Sequence, residues 1–241
     1  MNLTTRQSEI LKAIIEDYIE SAQPVASIEL VERRNLKISG ATVRNIMADL
    51  VRKGYLQMLH VSSGRVPSEL AYRYYISELM DERDVSVLDE LSIKQKVWND
   101  RYELERLLCN ISNALSETTS SLAFAMTTDG FASYAGTSHL LDMPEFYEID
   151  VAKSVFKLID DYQLSLSIYE KTAKPNMVTV LIGREIGLAN MEPVSIVVTN
   201  CNIENKTCYI GVIGPSRTDY CKLIPLIRHV AELVDEINET M

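Results

Sequence analysis

The sequence has little cysteine, a single tryptophan and no long apolar run. Its four cysteines (Cys109, Cys201, Cys208 and Cys221) are too few for a disulfide framework, and no close CxxC pair suggests structural zinc. We therefore expect reduced thiols and no bound metal. No segment approaches the roughly 20 apolar residues of a membrane helix, and the first ten residues lack the apolar core of a signal peptide. These absences predict a cytoplasmic protein that does not associate with membranes.

Patterns that carry catalysis or bind phosphate are also missing. Residues 211–217 lack the spacing of GxxxxGK[ST] and GxGxxG loops, so we interpret them as a strand that ends in a Gly-Pro turn. The carboxylates of Glu185, Asp160 and Asp161 have no His or Lys constellation with which to form an acid–base site. The sequence therefore predicts neither an enzyme nor a cofactor. A thiol switch among the later cysteines stays open, although no neighbour in the sequence clearly favours a thiolate.

Charge is unevenly distributed along the chain. The formal net charge is -10, yet the first 76 residues carry 10 Lys and Arg against 8 Asp and Glu, whereas the remainder carries 14 against 26. Residues 33–65 hold seven basic side chains and one acid, Asp49. Such a local excess attracts a phosphate backbone, which makes the N-terminal part a candidate for nucleic-acid binding. The acidic remainder would orient that part toward DNA by repelling phosphate, or simply keep the protein soluble.

Helical periodicity begins close to the N-terminus. Apolar residues at three- and four-residue spacing predict a first helix over about residues 5–21, with Thr4 and Gln7 forming its capping box. A short second helix, capped by Ser27, is predicted to end near Arg34. A long first helix followed by two short helices that are joined by a tight turn is typical of a helix-turn-helix topology. The short helix that ends near Arg34 is the first of that pair, so the topology requires a third helix after it.

The third helix and the segment after it complete that topology. Ser39 is expected to cap this helix and Gly54 to end it. Its core-facing residues are predicted to be Val43, Ile46, Met47 and Leu50. Residues 55–67 then read as a small β-hairpin with a turn at residues 62–64, and Ser68 caps a fourth helix. A helix-turn-helix followed by a hairpin predicts a winged helix in residues 1–76.

The exposed side of the third helix supplies the candidate DNA contacts. Opposite its apolar stripe lie Ala41, Asn45, Ala48 and Arg52, with Arg44 at the edge. Arg pairs with guanine and Asn with adenine in the major groove, although the sequence does not decide which residue reads a base. Gly64 and Arg65 suit a wing tip that reaches the minor groove or the phosphates. The candidate DNA-binding residues are Ser39, Thr42, Arg44, Asn45, Arg52, Ser63, Gly64 and Arg65. An ordinary solvated helix face is the competing interpretation of Arg44 and Asn45.

The rest of the chain has a different texture. Residues 77–120 read as a helical connector whose apolar stripe either packs on the next domain or pairs two copies. Residues 121–241 contain short β-rich runs and two helical segments, which predicts an α+β sheet domain. The β-rich runs are residues 122–126, 177–182, 194–199 and 208–213, and the helical segments are residues 150–162 and 219–239.

Several strings resemble one known family. ATVRNIMADLVRKGYL (residues 41–56) and HVSSGRVPSELAYRYYISELM (residues 60–80) resemble the winged-helix domain of the HrcA heat-inducible repressors of bacteria. DMPEF (residues 142–146) and the segment over residues 182–220 resemble the C-terminal half of that family. The resemblance implies a homodimer that binds an inverted-repeat operator called CIRCE, represses chaperone operons and releases them on heat stress. It also implies a GAF-like second domain with an antiparallel sheet, and help from the GroEL chaperonin.

The chain departs from that family in one interval. Family members usually carry a longer stretch, including an inserted dimerisation module, where this chain has only residues 127–141. The departure concerns the dimer interface and ligand binding by the second domain, and leaves the DNA-reading residues untouched. The alternative function is an interaction module, coupled to a chaperone or sensing a small ligand, whose winged helix binds protein rather than DNA.

Overall fold

A computed structural model describes residues 3–58, 64–172, 177–203 and 206–240. The chain divides into two compact units, Met1–Asp81 and Glu82–Met241. None of the described helices combines the length and the apolar character that crossing a bilayer requires.

The first unit begins with three helices: α1 (Thr5–Ser21), α2 (Ser27–Arg33) and α3 (Gly40–Arg52). The predicted bounds and capping box of α1 are confirmed, since the Thr4 hydroxyl accepts from the Gln7 backbone and the Gln7 side chain bonds back to Thr4. The predicted cap of α2 is wrong. Ala26 is its N-cap, so Ser27 is already the first helical residue and its side chain is buried.

Both predicted ends of α3 are confirmed. The Ser39 hydroxyl accepts a hydrogen bond from the backbone N–H of Thr42. At the other end Gly54 takes a φ of +82°, the Gly54 N–H donates to the carbonyl of Val51, and the Tyr55 N–H donates to that of Leu50. These two bonds form a Schellman motif, which stops the helix and turns the chain into the hairpin.

A short hairpin and a fourth helix complete the first unit. Strands β1 (Leu56–Gln57) and β2 (Val66–Pro67) pair antiparallel. Helix α4 (Glu69–Tyr74), capped by Ser68, continues into a π-helical turn over Tyr75–Leu79. The core of the unit is formed by apolar side chains from all four helices and the hairpin; these include Leu11, Ile14, Ile15, Val25, Leu30, Val43, Met47, Leu50, Val66, Tyr72 and Tyr75.

The second unit contains five α-helices, three short 3₁₀ helices and a five-stranded sheet among its described residues. The α-helices are α5 (Val87–Trp98), α6 (Leu104–Thr119), α7 (Ile149–Asp160), α8 (Tyr162–Thr172) and α9 (Tyr220–Thr240), and the 3₁₀ helices are Thr137–Asp142, Pro144–Tyr147 and Gly183–Ile186. The strands are β3 (Leu122–Thr127), β4 (Ala132–Ala135), β5 (Thr179–Ile182), β6 (Val194–Ile203) and β7 (Lys206–Pro215). Their order in the sheet is β4-β3-β7-β6-β5, and every neighbouring pair is antiparallel. The α+β class is therefore confirmed, as are the four predicted strands.

The sheet is covered by helices on both faces. One face packs Phe124, Val198 and Ile213 against buried residues of α7 and α8. Because side chains alternate along a strand, Val197, Ile210 and Val212 point to the other face, and α6 and α9 pack against the sheet. The predicted connector is not one continuous helix, because residues 99–103 separate α5 from α6. The apolar stripe of α6 is buried against the sheet within the chain itself.

Candidate nucleic-acid interface

Helix α3 presents one apolar and one polar face, as its sequence predicts. Val43, Met47 and Leu50 are buried, and Ile46 is half-buried. The residues on the opposite side are all exposed; they are Ala41, Arg44, Asn45, Ala48 and Arg52. The candidate reading face is therefore open to solvent and is not walled off by the fold.

Ser39 and Thr42 are partly committed to the start of α3. Their hydroxyl oxygens lie 2.9 Å apart in a hydrogen bond, and the Thr42 N–H donates to the Ser39 hydroxyl at 3.2 Å. A cap of this kind satisfies one of the unpaired N–H groups at a helix start. These two candidates therefore position the helix, and their free capacity for a phosphate or a base is smaller than the sequence suggests.

The two exposed arginines of α3 differ in their surroundings. The Arg52 side chain is 79% exposed and forms an ion pair with Asp49, one helical turn earlier. Such an exposed pair contributes little to stability, so a phosphate can replace the carboxylate at small cost. Arg44 makes no ion pair with any other residue that the structure describes. Of the two arginines on the candidate reading face, Arg44 is therefore the one that is not paired with a described carboxylate.

The structure lowers the number of positive charges in residues 33–65 that are available to bind a phosphate backbone. Arg33 Nη1 lies 3.0 Å from Asp17 Oδ2, and Arg34 Nη2 lies 2.9 Å from Glu20. Asp17 is only 2% exposed, although it is a charged residue of α1. A buried carboxylate requires such partners. The two arginines thus neutralise acids outside the counted window, and the positive excess available to DNA is smaller than predicted.

A further exposed cation was not among the candidate site residues. Lys37 lies in the turn between α2 and α3 and is exposed, with no ion pair to any described residue. It lies three residues before Gly40, the first residue of α3, and so adds a positive charge close to the start of that helix. A basic residue in the turn between two predicted helices is a sequence feature that would have identified Lys37 as a candidate phosphate contact.

The hairpin places two candidates differently from the wing tip that was predicted. The backbone N–H and carbonyl of Arg65 both pair with Val25 at 2.9 Å, and an isolated antiparallel bridge joins these residues. A Cβ on Gly64 would lie 2.5 Å from the carbonyl carbon of Pro24. Gly64 and Arg65 therefore belong to the base of the hairpin, and Ser63 lies outside the described residues. Contact of these residues with DNA stays a prediction.

Gly64→Ala is expected to destabilise residues 1–81 by about 1 to 3 kcal/mol, because the added methyl group overlaps the Pro24–Val25 backbone. Chemical denaturation followed by tyrosine near-UV circular dichroism measures the loss. Gly40→Ala is the control in the same unit, since its Cβ would meet a flexible side-chain atom of Ile28 at 3.3 Å. If the Gly64 variant is as stable as the wild type, close packing against the Pro24–Val25 backbone is not the reason for a glycine at this position, and contact with DNA remains the only proposed role.

In the second unit an ion pair joins the two motifs that carry the family resemblance. Arg217, just after β7, donates from Nε to Glu145 Oε1 at 2.6 Å and from Nη2 to Oε2 at 3.3 Å. Both side chains are mostly buried, at 17% and 13% exposed. A bidentate pair in this setting fixes the DMPEF segment against the end of β7. The interpretation of residues 211–217 as a strand and turn is confirmed, because β7 ends at Pro215.

Two of the four cysteines, Cys201 and Cys208, do not offer a reactive thiol in the folded protein. Cys201 and Cys208 lie directly opposite each other in the β6–β7 pair, and both are buried and reduced. Burial raises the pKa of the Cys208 thiol to about 11 and raises the pKa of Cys201 well above its usual value. Because the thiolate is the nucleophile, both groups are unreactive near neutral pH.

Comparisons with known proteins identify the family of the chain. The family model described as "HrcA protein C terminal domain" matches residues 57–224. The heat-inducible transcription repressor HrcA of Symbiobacterium thermophilum is 24% identical, with 97% of this chain and 98% of the relative covered. The protein of the same name from Lysinibacillus sphaericus is 44% identical over 128 residues, which cover 53% of this chain and 37% of that relative.

A solved structure shares the fold. A crystal structure described only as that of a hypothetical protein superposes with a TM-score of 0.73 at 18% identity, and covers 99% of this chain and 98% of that one. The alignment with the Symbiobacterium relative runs over 334 positions, whereas this chain has 241 residues, so that relative carries residues that this chain lacks. HrcA is a family of transcription repressors and not of enzymes. This confirms the prediction from the sequence that the chain is not an enzyme. Since the family model matches well over half of the residues of this chain, the chain belongs to the HrcA family of transcription repressors.

Proposed function

We propose that this chain is a heat-inducible transcription repressor that binds an inverted-repeat operator of the CIRCE type as a homodimer. The observation that carries the proposal is the exposed polar face of α3, with Arg44 and Asn45 on a helix whose other face is buried. A recognition helix must enter the major groove with such a face. The shared name of the curated relatives, heat-inducible transcription repressor, supports the same function.

Residues 1–81 form the winged helix-turn-helix in this proposal. Three helices followed by an antiparallel hairpin support the assignment. The Val25–Arg65 bridge adds a third extended segment to the hairpin, and so holds the wing against the turn before α2. Residues 121–241 are the GAF-like part in this proposal, which is supported by the five-stranded antiparallel sheet with helices on both faces.

The operator symmetry requires paired heads at a fixed spacing, which is why the chain is proposed to act as a homodimer. The α6 stripe is buried against β3 and β4 of its own chain, which supports an interface formed by other residues. Release of DNA on heat stress would follow from marginal stability, since folded domains are only about 5 to 15 kcal/mol more stable than the unfolded chain. The GroEL chaperonin, which the resemblance implies, is the proposed partner that keeps the repressor folded in the cytoplasm.

Binding of the 241-residue chain to an inverted-repeat duplex is expected to weaken steeply with salt, because cations of two heads displace counterions from phosphates. We expect a log–log slope of about -5 or steeper, and a scrambled duplex that binds at least about 1000-fold more weakly at physiological salt. Fluorescence anisotropy over a salt series, with the duplex obtained by selection from a random library, measures both.

A flat salt slope or equal affinity for the scrambled duplex contradicts the proposal. The alternative, in which α3 and the hairpin bind a protein, predicts no DNA affinity at all together with capture of a chaperone or another protein by residues 1–81. The exposed Arg44 and Lys37 favour DNA over that alternative, because they are cations with no ion pair to a described residue.

A further inference from the structure

On the exposed face of α3 one hydrogen-bonding side chain, that of Asn45, lies between two alanines along the helix axis. At 100° per residue, Ala41, Asn45, Ala48 and Arg52 lie within about 60° of one another around the helix axis. Asn45 is exposed, and no described residue bonds its side-chain amide. The methyl groups of Ala41 and Ala48 on either side leave room for the helix to approach the groove floor closely.

The other polar residues of α3 are less suited to the groove floor. Ser39 and Thr42 bond each other in the helix cap. Arg52 stands at the last turn beside Asp49, about 10 Å along the axis from Asn45 at 1.5 Å per residue. Arg44 projects about 100° away from Asn45 around the axis. Asn45 is therefore the side chain that points to the base edges when this face enters the groove.

We propose that Asn45 reads one adenine in each half-site, and that Ala48 or Ala41 contacts a thymine methyl group next to it. This inference rests on the proposed DNA-binding function and names the base that the site selects. An asparagine amide donates to adenine N7 and accepts from the adenine N6 amino group, a bidentate pattern that no other base offers in the major groove. A thymine methyl packs on a short apolar side chain such as alanine.

The test replaces single atoms of the selected operator duplex. Each adenine is exchanged in turn for 7-deazaadenine, which lacks the N7 acceptor, and the affinities of the wild-type protein and of Asn45→Ala are compared at low salt. Low salt keeps the weakened complexes measurable, because phosphate contacts still hold them. Asn45 is exposed on a helix, so its replacement by alanine leaves the fold intact.

One adenine per half-site is expected to be sensitive. There the exchange weakens wild-type binding about 5- to 150-fold, whereas Asn45→Ala binds both duplexes equally. Arg44→Ala, the matched control on the neighbouring position, is expected to keep the wild-type sensitivity at that adenine. Exchange of the adjacent thymine for uracil, which removes only the methyl group, is expected to weaken wild-type binding severalfold.

Two results would overturn the inference: a wild-type protein that tolerates 7-deazaadenine at every position, or an Asn45→Ala variant that stays as sensitive as the wild type. Either result leaves the proposed repressor function standing, since binding itself is observed. Failure of the wild-type protein to select any duplex from the library is a different outcome and contradicts the proposed function.

Discussion

Gly211→Ala is expected to destabilise residues 82–241 by about 3 kcal/mol or more, or to prevent their folding, because this position in β7 has no space for a methyl group. A Cβ there would collide with the carbonyl oxygen of Val197 on β6 and would lie 2.7 Å from Cζ of Phe124 on β3. The Phe124 ring is buried and stacks on the buried Tyr169 ring at a centroid distance of 4.6 Å, so moving it away from an added methyl group would disturb this stacking.

Urea unfolding followed by tryptophan fluorescence measures the Gly211→Ala loss. Trp98 is the single tryptophan of the chain and lies at the end of α5, so its signal reports on the second unit. Gly214→Ala is the matched control in the same strand, because its Cβ would meet two side-chain hydroxyl oxygens, that of Thr218 at 3.2 Å and that of Ser121 at 3.8 Å, and no backbone atom within 4 Å. The control is expected to lose much less stability, and equal losses in both variants would show that the collision is not the cause.

A companion variant separates the two collisions at Gly211. Adding Phe124→Leu to Gly211→Ala removes the aromatic contact but leaves the overlap with the Val197 carbonyl, which belongs to the backbone. The double variant is therefore expected to remain less stable than Phe124→Leu alone. If the losses in unfolding free energy of Gly211→Ala and Phe124→Leu simply add in the double variant, the two positions do not share a contact.

The second large effect is expected in the first unit. Replacing Arg33 and Arg34 together by methionine is expected to cost about 3 kcal/mol, because it leaves the buried Asp17 carboxylate without a cation. The lower end of the known range applies, since the arginine side chains are 41% and 23% exposed and water screens part of the interaction. Hydrogen exchange of the α1 and α2 amides, read by mass spectrometry, measures the loss.

Asp17→Asn is the control for the arginine pair. It leaves Arg33, which is 41% exposed and still paired with Glu29, and Arg34, which keeps its ion pair with Glu20, so a smaller loss than that of the double arginine variant is expected. The double arginine variant also tests whether Arg33 and Arg34 pair with acidic residues of the chain and not with DNA phosphates. If Arg33 and Arg34 bind phosphate instead, their removal would flatten the salt dependence of DNA binding while stability stays unchanged.

Local sequence signals were sufficient for α3, the helix that is proposed to read DNA. Ser39 and Gly54 fix the ends of α3 through a side-chain cap and a positive φ, and both effects act within a few residues. Its amphipathic spacing then decides which side faces the core and which side stays exposed. For the same reason α1, the hairpin strands and the four predicted strands of the sheet were found at nearly their observed positions.

Other elements carry weak or conflicting local signals. Helix α8 was not among the predicted elements, because Leu164, Leu166 and Ile168 alternate with polar residues in the manner of a strand. Its start is fixed by the Asp161 carboxylate, which accepts from the Leu164 N–H at 3.0 Å. Strand β4 is four residues of Ala, Ser and Tyr and exists through its pairing with β3. Packing against the sheet decides both elements.

The sequence by itself determined the family, the bounds of α1 and α3, and the exposed face that carries Arg44 and Asn45, since capping, turn conformation and periodicity are local. Only the tertiary structure decided which charges are available to DNA and which glycines cannot be replaced. Asp17 captures Arg33 and Arg34 from another helix, and Pro24 and Val197 set the space at Gly64 and Gly211 from distant parts of the chain. Contacts of this kind depend on how segments pack together, and no local pattern of residues encodes them.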